Sequence, residues 1–513
     1  MNLSIKKSLF LLLSSLLFLL FPATAQEKGF FHLYENPEIS FTASSAVETS
    51  DGNIVVALFD CVGQEYPGGL ALLDKDGVLI KQTSINDNGY RSGIAQLFQD
   101  PDQPDLFYGI GEIDDSMEQT FHPYIIHFDD KLNILFQKEV GLPDEYRTIR
   151  MSRSVLTNKK FMYAGALDKE NDYHRLYMLI SLDGELEALA DIDIDASASV
   201  YVDAICKSSV NDNYYEYRRS YNSQGQSEKR LYSFDDEFVF TPLNEYRTLD
   251  FWVNDTLHTI FYYNLANSTM TLLDDTTLLF SDRIIEYWDA PNGSIYSSDR
   301  SAILFNTDLE GNIQDLLVDG SGNDTADYPF HFNAIAISND NLHGEPCIFH
   351  GCYGYFFPHR PNNQITLTKT DRHLQPQWKR SYSFANKYLQ VTNVMTTSDG
   401  GCLIVGGALN VENWHYDWFA LKVNPEGLVE SEEINVVSHI IPYPNPVTGE
   451  LQLRCSLDLK PTRAELYDLE GRLILTQQTD LERISMKNLA PGLYTLRVTM
   501  DDGSVYTDKI IKQ

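Results

Sequence analysis

The chain reads as all-β: an N-terminal β-propeller of about seven blades followed by a small immunoglobulin-like β-sandwich. Three observations predict this. Short strand-like runs punctuated by Asp-Gly turns recur about 45 to 65 residues apart, the length of a four-stranded blade with variable loops. Long amphipathic helical patterns are absent. The 30 tyrosines and 27 phenylalanines suit sheet cores filled by aromatic rings.

Residues 1–25 read as a secretory signal peptide. Lys6 and Lys7 form a basic start, residues 9–21 are apolar apart from Ser14 and Ser15, and Ala23-Thr24-Ala25 is a small-residue cleavage site. The mature chain is therefore expected to begin at Gln26. The apolar run is too short for ~30 Å of hydrocarbon, and no later stretch reaches ~18 apolar residues, so no transmembrane helix is expected in the mature form. The net charge is -34, and nearly all of it belongs to the body: from Ile441 onward 9 basic residues face 10 acidic ones. Such a body repels nucleic acid and anionic lipid, and its charge favours solubility. Six cysteines (Cys61, Cys206, Cys347, Cys352, Cys402 and Cys455) in a chain this long are not a disulfide scaffold. Cys347 and Cys352 lie nearest each other and are the candidate disulfide.

The body, 26–435, is read as the propeller. Its clearest unit starts with the tight turn Asp399-Gly400-Gly401, runs through the apolar strand 402–405, and resumes at 418–423 before turning at Pro425-Glu426-Gly427 into an outer strand. Weaker copies occupy 50–57 with 70–79, 106–111 with 124–129, 161–165 with 177–184, 302–306 with Glu310-Gly311, and 365–371 with Trp378. This spacing allows six to eight blades, with seven expected. A pair of β-sandwiches would not explain the recurrence. The stretch from about 200 to 300 departs most from the pattern. The best unit resembles the degenerate Asp-Gly-Gly propeller repeats of secreted bacterial proteins, which implies blades and no particular activity.

Residues 436–442 read as a linker and 443–513 as a separate domain. Pro442, Pro444 and Pro446 make a stiff extended entry rather than a strand interior. Short alternating strands follow, with hairpin turns at Glu470-Gly471 and Asp502-Gly503. Several landmarks appear in order. They are Tyr443-Pro444-Asn445-Pro446, Gly449, the turn through Gly471 and Arg472, the element containing Gly492 and Tyr494, and the terminal strand with Lys509. This domain resembles the type A C-terminal sorting domain of the type IX secretion system. The resemblance implies export to the medium or the outer-membrane cell surface of a Gram-negative bacterium, through the type IX translocon. It also implies removal of the tail by a sortase-like peptidase within 431–441, and attachment of the body to a surface polysaccharide.

No H-E-x-x-H, G-x-S-x-G or P-loop is present, and no catalytic residue is assigned. Three constellations carry candidate chemistry. Cys347, His350, Cys352 and His359 have zinc-ligand character, although a disulfide with surface histidines is favoured in an oxidising space. Asp191, Asp193 and Asp195 share one face of a strand, and Asp319, Asn323 and Asp327 are oxygen ligands in a polar loop. Ca²⁺ at these acidic sites is the one cofactor suggested. Trp414 and Tyr416 are loop aromatics suited to a sugar ring or a partner's side chain, while Trp418 belongs to a blade core. The leading expectation is a binding or adhesion module for glycan or protein. Its rival is a secreted hydrolase or lyase with carboxylates at the propeller channel.

Overall fold

The computed structural model describes residues 29–512 except 37–38, 61–67, 86–90, 116–119, 144–145, 147–148, 170–171, 193–199, 222–226, 247, 254–255, 262–267, 290–294, 320–325, 340–344, 356–363, 385–386, 411–412, 432–433, 439, 455–459, 470 and 502–504. The signal-peptide reading, including Ala23, Ala25 and Gln26, lies outside the described residues.

Seven four-stranded antiparallel units follow one another along the chain. Six span 41–84, 91–139, 149–192, 200–246, 269–319 and 335–383; the seventh combines 387–423 with Phe30–Tyr34. Each innermost strand contacts the neighbouring blade, and the seventh blade meets the first, so the units close into a seven-bladed propeller. Closure is made by the two ends of the body. Phe30–Tyr34 pairs antiparallel with His415–Val423, from Phe30 opposite Lys422 to Tyr34 opposite Trp418. Tyr34 stacks on Trp418 at 3.8 Å and Phe31 on Phe384 at 4.3 Å. The turn at Pro425-Glu426-Gly427 therefore does not lead into an outer strand of its own blade, as the sequence suggests. That edge is already taken, and the chain passes on to blade six.

The turn that ends the third strand has one chemistry in every blade. Asp74, Asp129, Ser181, Asp235, Asp308, Asp371 and Asn424 each accept, on a side-chain oxygen, the amide four residues on. Three residues after each lies a left-handed residue: Gly77, Leu132, Gly184, Phe238, Gly311, Leu374 and Gly427, with φ from 55 to 87°. Where it is glycine, the preceding blade covers it. A Cβ on Gly77 would meet the Phe30 ring at 2.4 Å, and one on Gly427 would meet Trp378 at 2.7 Å. Where it is Leu132, Phe238 or Leu374, the side chain itself packs with the core between blades. Three buried or half-buried tyrosines lock outer strands to the next blade's turn: Tyr34 donates to the Gly77 carbonyl (2.6 Å), Tyr246 to Gly311 (2.8 Å) and Tyr382 to Gly427 (2.7 Å). Each contributes about 1 kcal/mol.

Blade five explains the irregular stretch of sequence. Its second and third strands, Thr277–Asp289 and Ile295–Asp308, overrun the blade. An inserted hairpin, Thr248–Val253 with Thr256–Phe261, pairs with that overrun at Ile260 opposite Glu286. Ala326–Pro329 then joins blade five to Pro346–Tyr355 of blade six.

The tail is a sandwich of a three-stranded and a four-stranded sheet around Val447, Leu451, Leu466, Ile484, Leu496, Val498 and Ile510. Pro442 lies within the strand Ile441–Tyr443, contrary to the expectation of a strand-free entry; proline is tolerated there because the strand is at a sheet edge. The expected linker is likewise largely strand, with Asn435–Ser438 paired to blade six.

Candidate functional site

The innermost strands surround a central cavity of about 280 Å³. All seven blades contribute to its wall, through Ser45, Gln96, Arg153, Ala204, Thr269, Asn333 and Asn393 among others. Many of its polar groups hold blades together. Leu97 N donates to Ser45 Oγ (3.1 Å), Ser154 N to Gln96 Oε1 (3.0 Å) and Ala334 N to Thr269 Oγ1 (3.0 Å). Arg153 reaches the Ser268 carbonyl at 3.3 Å. Among the described lining residues Arg153 is the one charged group, and no carboxylate pair faces the cavity.

A second set of polar residues is buried between neighbouring blades. Between blades four and five, Lys229 Nζ lies 2.6 Å from Asp282 and 3.3 Å from Asp203, Arg219 pairs with Asp203 at 3.1 Å, and Tyr217 donates to Asp282 at 2.9 Å. Between blades five and six, Ser281 Oγ lies 2.8 Å from His350 Nε2, and His350 Nδ1 lies 2.8 Å from Asp319 Oδ2. This has the order of a nucleophile, base and orienting acid. Its surroundings do not suit that chemistry. Ser281, His350 and Asp319 are 0, 0 and 2 % exposed. Catalysis needs a site about 3 Å from the nucleophile where a reacting atom can sit. Asp319 Oδ1 is also taken, by Thr368 at 3.1 Å and Lys379 at 3.0 Å. Burial works against the Lys379 charge, but Asp319 holds its pKa up at about 12. The cluster is a buried polar bridge between blades. Spacing in the sequence could not reveal it, because its members come from three separate strands.

The same contacts bear on two expectations. Asp319, a candidate calcium ligand, is committed to His350, Thr368 and Lys379; Asp327 is buried and Asn323 lies outside the described residues. Of the acidic strand, Asp193 and Asp195 also lie outside them. Cys347 and Cys352 are reduced thiols, both buried on one strand, Pro346–Tyr355. Five residues of extended chain separate them by about 17 Å and place them on opposite faces. A disulfide needs Cα atoms within about 7 Å. On opposite faces of the strand the two sulfurs do not converge on one metal ion either, and burial pushes the Cys352 thiol well up. His350 is used in the bridge, and His359 lies outside the described residues.

The aromatic loop candidates separate. Trp418 is core, 2 % exposed. Trp414 is 69 % exposed and left-handed, with φ of 57°, its amide donating to the Asn410 carbonyl at 2.9 Å. Tyr416 is half-buried, its amide held by Ser40 Oγ at 3.2 Å. Trp414 lies on the connection between second and third strands. In an antiparallel blade this is the face opposite the capped turns, and it is also the face that receives the blade-five hairpin.

In the tail the ordered landmarks converge. Asn445 Nδ2 donates to the Lys509 carbonyl, and Asn445 Oδ1 accepts from Ile511 N, both at 2.8 Å. Val447 N donates to the Ile511 carbonyl at 2.8 Å. The Tyr443–Pro444 and Asn445–Pro446 bonds are cis. Gly471 is left-handed in a turn where Asp468 accepts from the Arg472 amide (2.8 Å) and Nε (2.7 Å). Tyr494 donates to the Ala490 carbonyl at 2.9 Å, Gly492 opens the strand opposite Lys512, and the Gly449 carbonyl accepts from Met486 N. Residues 442–513 match the family model described as "Secretion system C-terminal sorting domain". The tail is a sorting domain. It implies secretion through the type IX system and a place outside the cell or on its surface.

For the sorting-domain protein as a whole, no curated protein sequence matches. Solved structures similar to it include the β-propeller domain of the trilobed protease from Pyrococcus furiosus (8 % identity, 78 % of this chain and 94 % of that one, TM-score 0.39). An α-L-arabinanase from Penicillium chrysogenum (9 %, 68 % and 98 %, 0.40) and a sialidase from Trypanosoma rangeli (9 %, 94 % and 90 %, 0.40) are others. Similarity at this level says nothing about ligand or reaction.

Proposed function

We infer that this is an exported binding protein whose propeller presents one face to a glycan or protein ligand, with the sorting tail engaging the type IX translocon and a sortase-like peptidase. On this reading the body then remains on a surface polysaccharide or passes into the medium. The observation that carries the binding role is Trp414. Its ring is open to solvent on left-handed backbone that disfavours a side chain, with Tyr416 beside it, and an exposed indole of this kind suits contact with a sugar ring or a partner's side chain. The face that holds it also carries the insertions, while the opposite face is spent on seven capped turns.

The hydrolase or lyase reading needs convergent acid and base groups in the channel. Two carboxylates about 5 to 10 Å apart would be required for glycoside hydrolysis. The described lining offers amides, hydroxyls and Arg153 instead, which favours binding. The test is a glycan-array and surface-protein screen on the full chain beside its Trp414→Gly variant. Hits lost in the variant support the reading. Hits unchanged in the variant would place recognition elsewhere, and turnover of a polysaccharide would favour the rival.

A further inference from the structure

Asn435–Ser438 pairs antiparallel with the outer strand of blade six, Pro376–Ser383, from Ser383 opposite Asn435 to Arg380 opposite Ser438. Ile434, 7 % exposed, belongs to the core shared by blades six and seven, and Val436 packs on the same core. The outer strand beneath is correspondingly enclosed. Arg380, Ser381 and Tyr382 are buried, whereas Leu79–Ser84 and Ile134–Glu139, the outer strands of blades one and two, are largely open to solvent. Among the described residues no other blade carries a fifth strand on its outer edge.

The added strand belongs to the tail as much as to the body. Two residues beyond it, Ile440 is buried in the sandwich core, and Ile441–Tyr443 is a strand of the sandwich. The last strand of the tail comes close as well: Asp508 and Lys379 lie near enough for each to favour the other's charge. On the other side, Glu430 N is anchored on the Gly29 carbonyl at 3.0 Å.

We propose that Ile434–Ser438 is a place-holding strand, which leaves with the tail when the chain is cut ahead of it and so opens Pro376–Ser383 to an extended partner segment. The proposal rests on the reading of the tail as a removable sorting domain. An uncovered edge presents unpaired amides and carbonyls that take up a strand. The vacated Ile434 and Val436 positions select aliphatic residues two apart. The fitting partner is thus an extended segment that, like the resident strand, places aliphatic side chains at alternate positions.

The test uses the full chain with a site-specific protease sequence inserted after Ser431, cut in vitro. The probe is a peptide of residues 430–439. Excess peptide is expected to release the tail fragment in size-exclusion chromatography and to bind the remaining body. Of two neighbouring amides in a strand one faces the ladder, so the peptide with proline at both 436 and 437 is expected to bind at least about tenfold more weakly. A cut body that binds neither peptide, or both equally, overturns the proposal. So does a tail fragment that resists excess peptide, or a body that loses its far-UV β signal once the tail is gone. An uncut tail in cells would count against the sorting reading alone, because the engineered cut does not depend on it.

Discussion

Asn445 and Ile511 are joined as if Asn445 were one more strand residue: the side-chain oxygen takes the Ile511 amide, while the side-chain nitrogen gives a bond to the neighbouring Lys509 carbonyl. One amide group thus ties the entry motif to the end of the chain. Asn445→Ala is expected to cost the tail about 1–3 kcal/mol, from two lost bonds on partly buried backbone. Asn445→Asp keeps the acceptor and loses the donor, so it should fall between. Hydrogen exchange of the amides in Val505–Lys512 reads the effect directly, and the secreted fraction in cells should fall in the same order.

Gly77→Ala strikes the propeller's seam. It places a Cβ at φ 82° and 2.4 Å from the Phe30 ring. A loss of about 2–4 kcal/mol is expected from the combined backbone strain and overpacking. Denaturant unfolding should show it, with faster exchange confined at first to Phe30–Tyr34. Gly52→Ala, at φ 80° with nothing within 4 Å, isolates the backbone part and should cost less.

Acid should loosen the contact between blades five and six. Burial alone would raise the Asp319 pKa, but Lys379 and His350 outweigh it and hold the carboxyl well below the usual range. A depressed folded pKa contributes stability above the unfolded value of about 3.9, and that contribution is lost as pH falls through the folded value. Thermal midpoints measured from pH 7 down to pH 2 are expected to drop below about pH 4. Asp319→Asn leaves Lys379 charged without its partner, so it should be less stable by about 3 kcal/mol at pH 7 and show a shallower acid limb.

Trp414→Gly separates binding from folding. Glycine accepts the left-handed backbone freely, and the ring is in solvent, so the variant is expected to be as stable as the parent or about 1 kcal/mol more stable. Its affinity for any ligand of that face should nevertheless fall. Parallel thermal melts and binding titrations on the same preparation check both halves.

Much of this was legible before any coordinates. The tail announced itself because its landmarks are local turns in a fixed order, and Asp-Gly or Glu-Gly turns marked blades one, three, five and seven. Blades two and six were read from their strands although Leu132 and Leu374 stand where glycine marks the turn elsewhere; blade four, with Phe238 there, went unread. The outer strand of blade seven was missed because it comes from residues 30–34, nearly 400 positions from its partner. The Ser281–His350–Asp319 bridge was invisible for the same reason: alternating strands say which residues face inward, not which of them meet. Cys347 and Cys352 misled in the other direction, since nearness in sequence along a strand is distance in space.

The turns of this propeller alternate around the ring. Glycine stands in blades one, three, five and seven, and a bulky residue in two, four and six, so the true period of the architecture is two blades. A period of two cannot close on an odd number. One pair of neighbours must break the alternation, and that pair is blades seven and one, with Gly427 and Gly77 side by side. The mismatch in parity falls on the junction where the chain's two ends are zipped together, the one place where the covering residue, Phe30, arrives from outside the run of repeats. A ring of six or eight blades would close the alternation without a mismatch, so the odd blade number and the separately supplied strand at Phe30–Tyr34 go together.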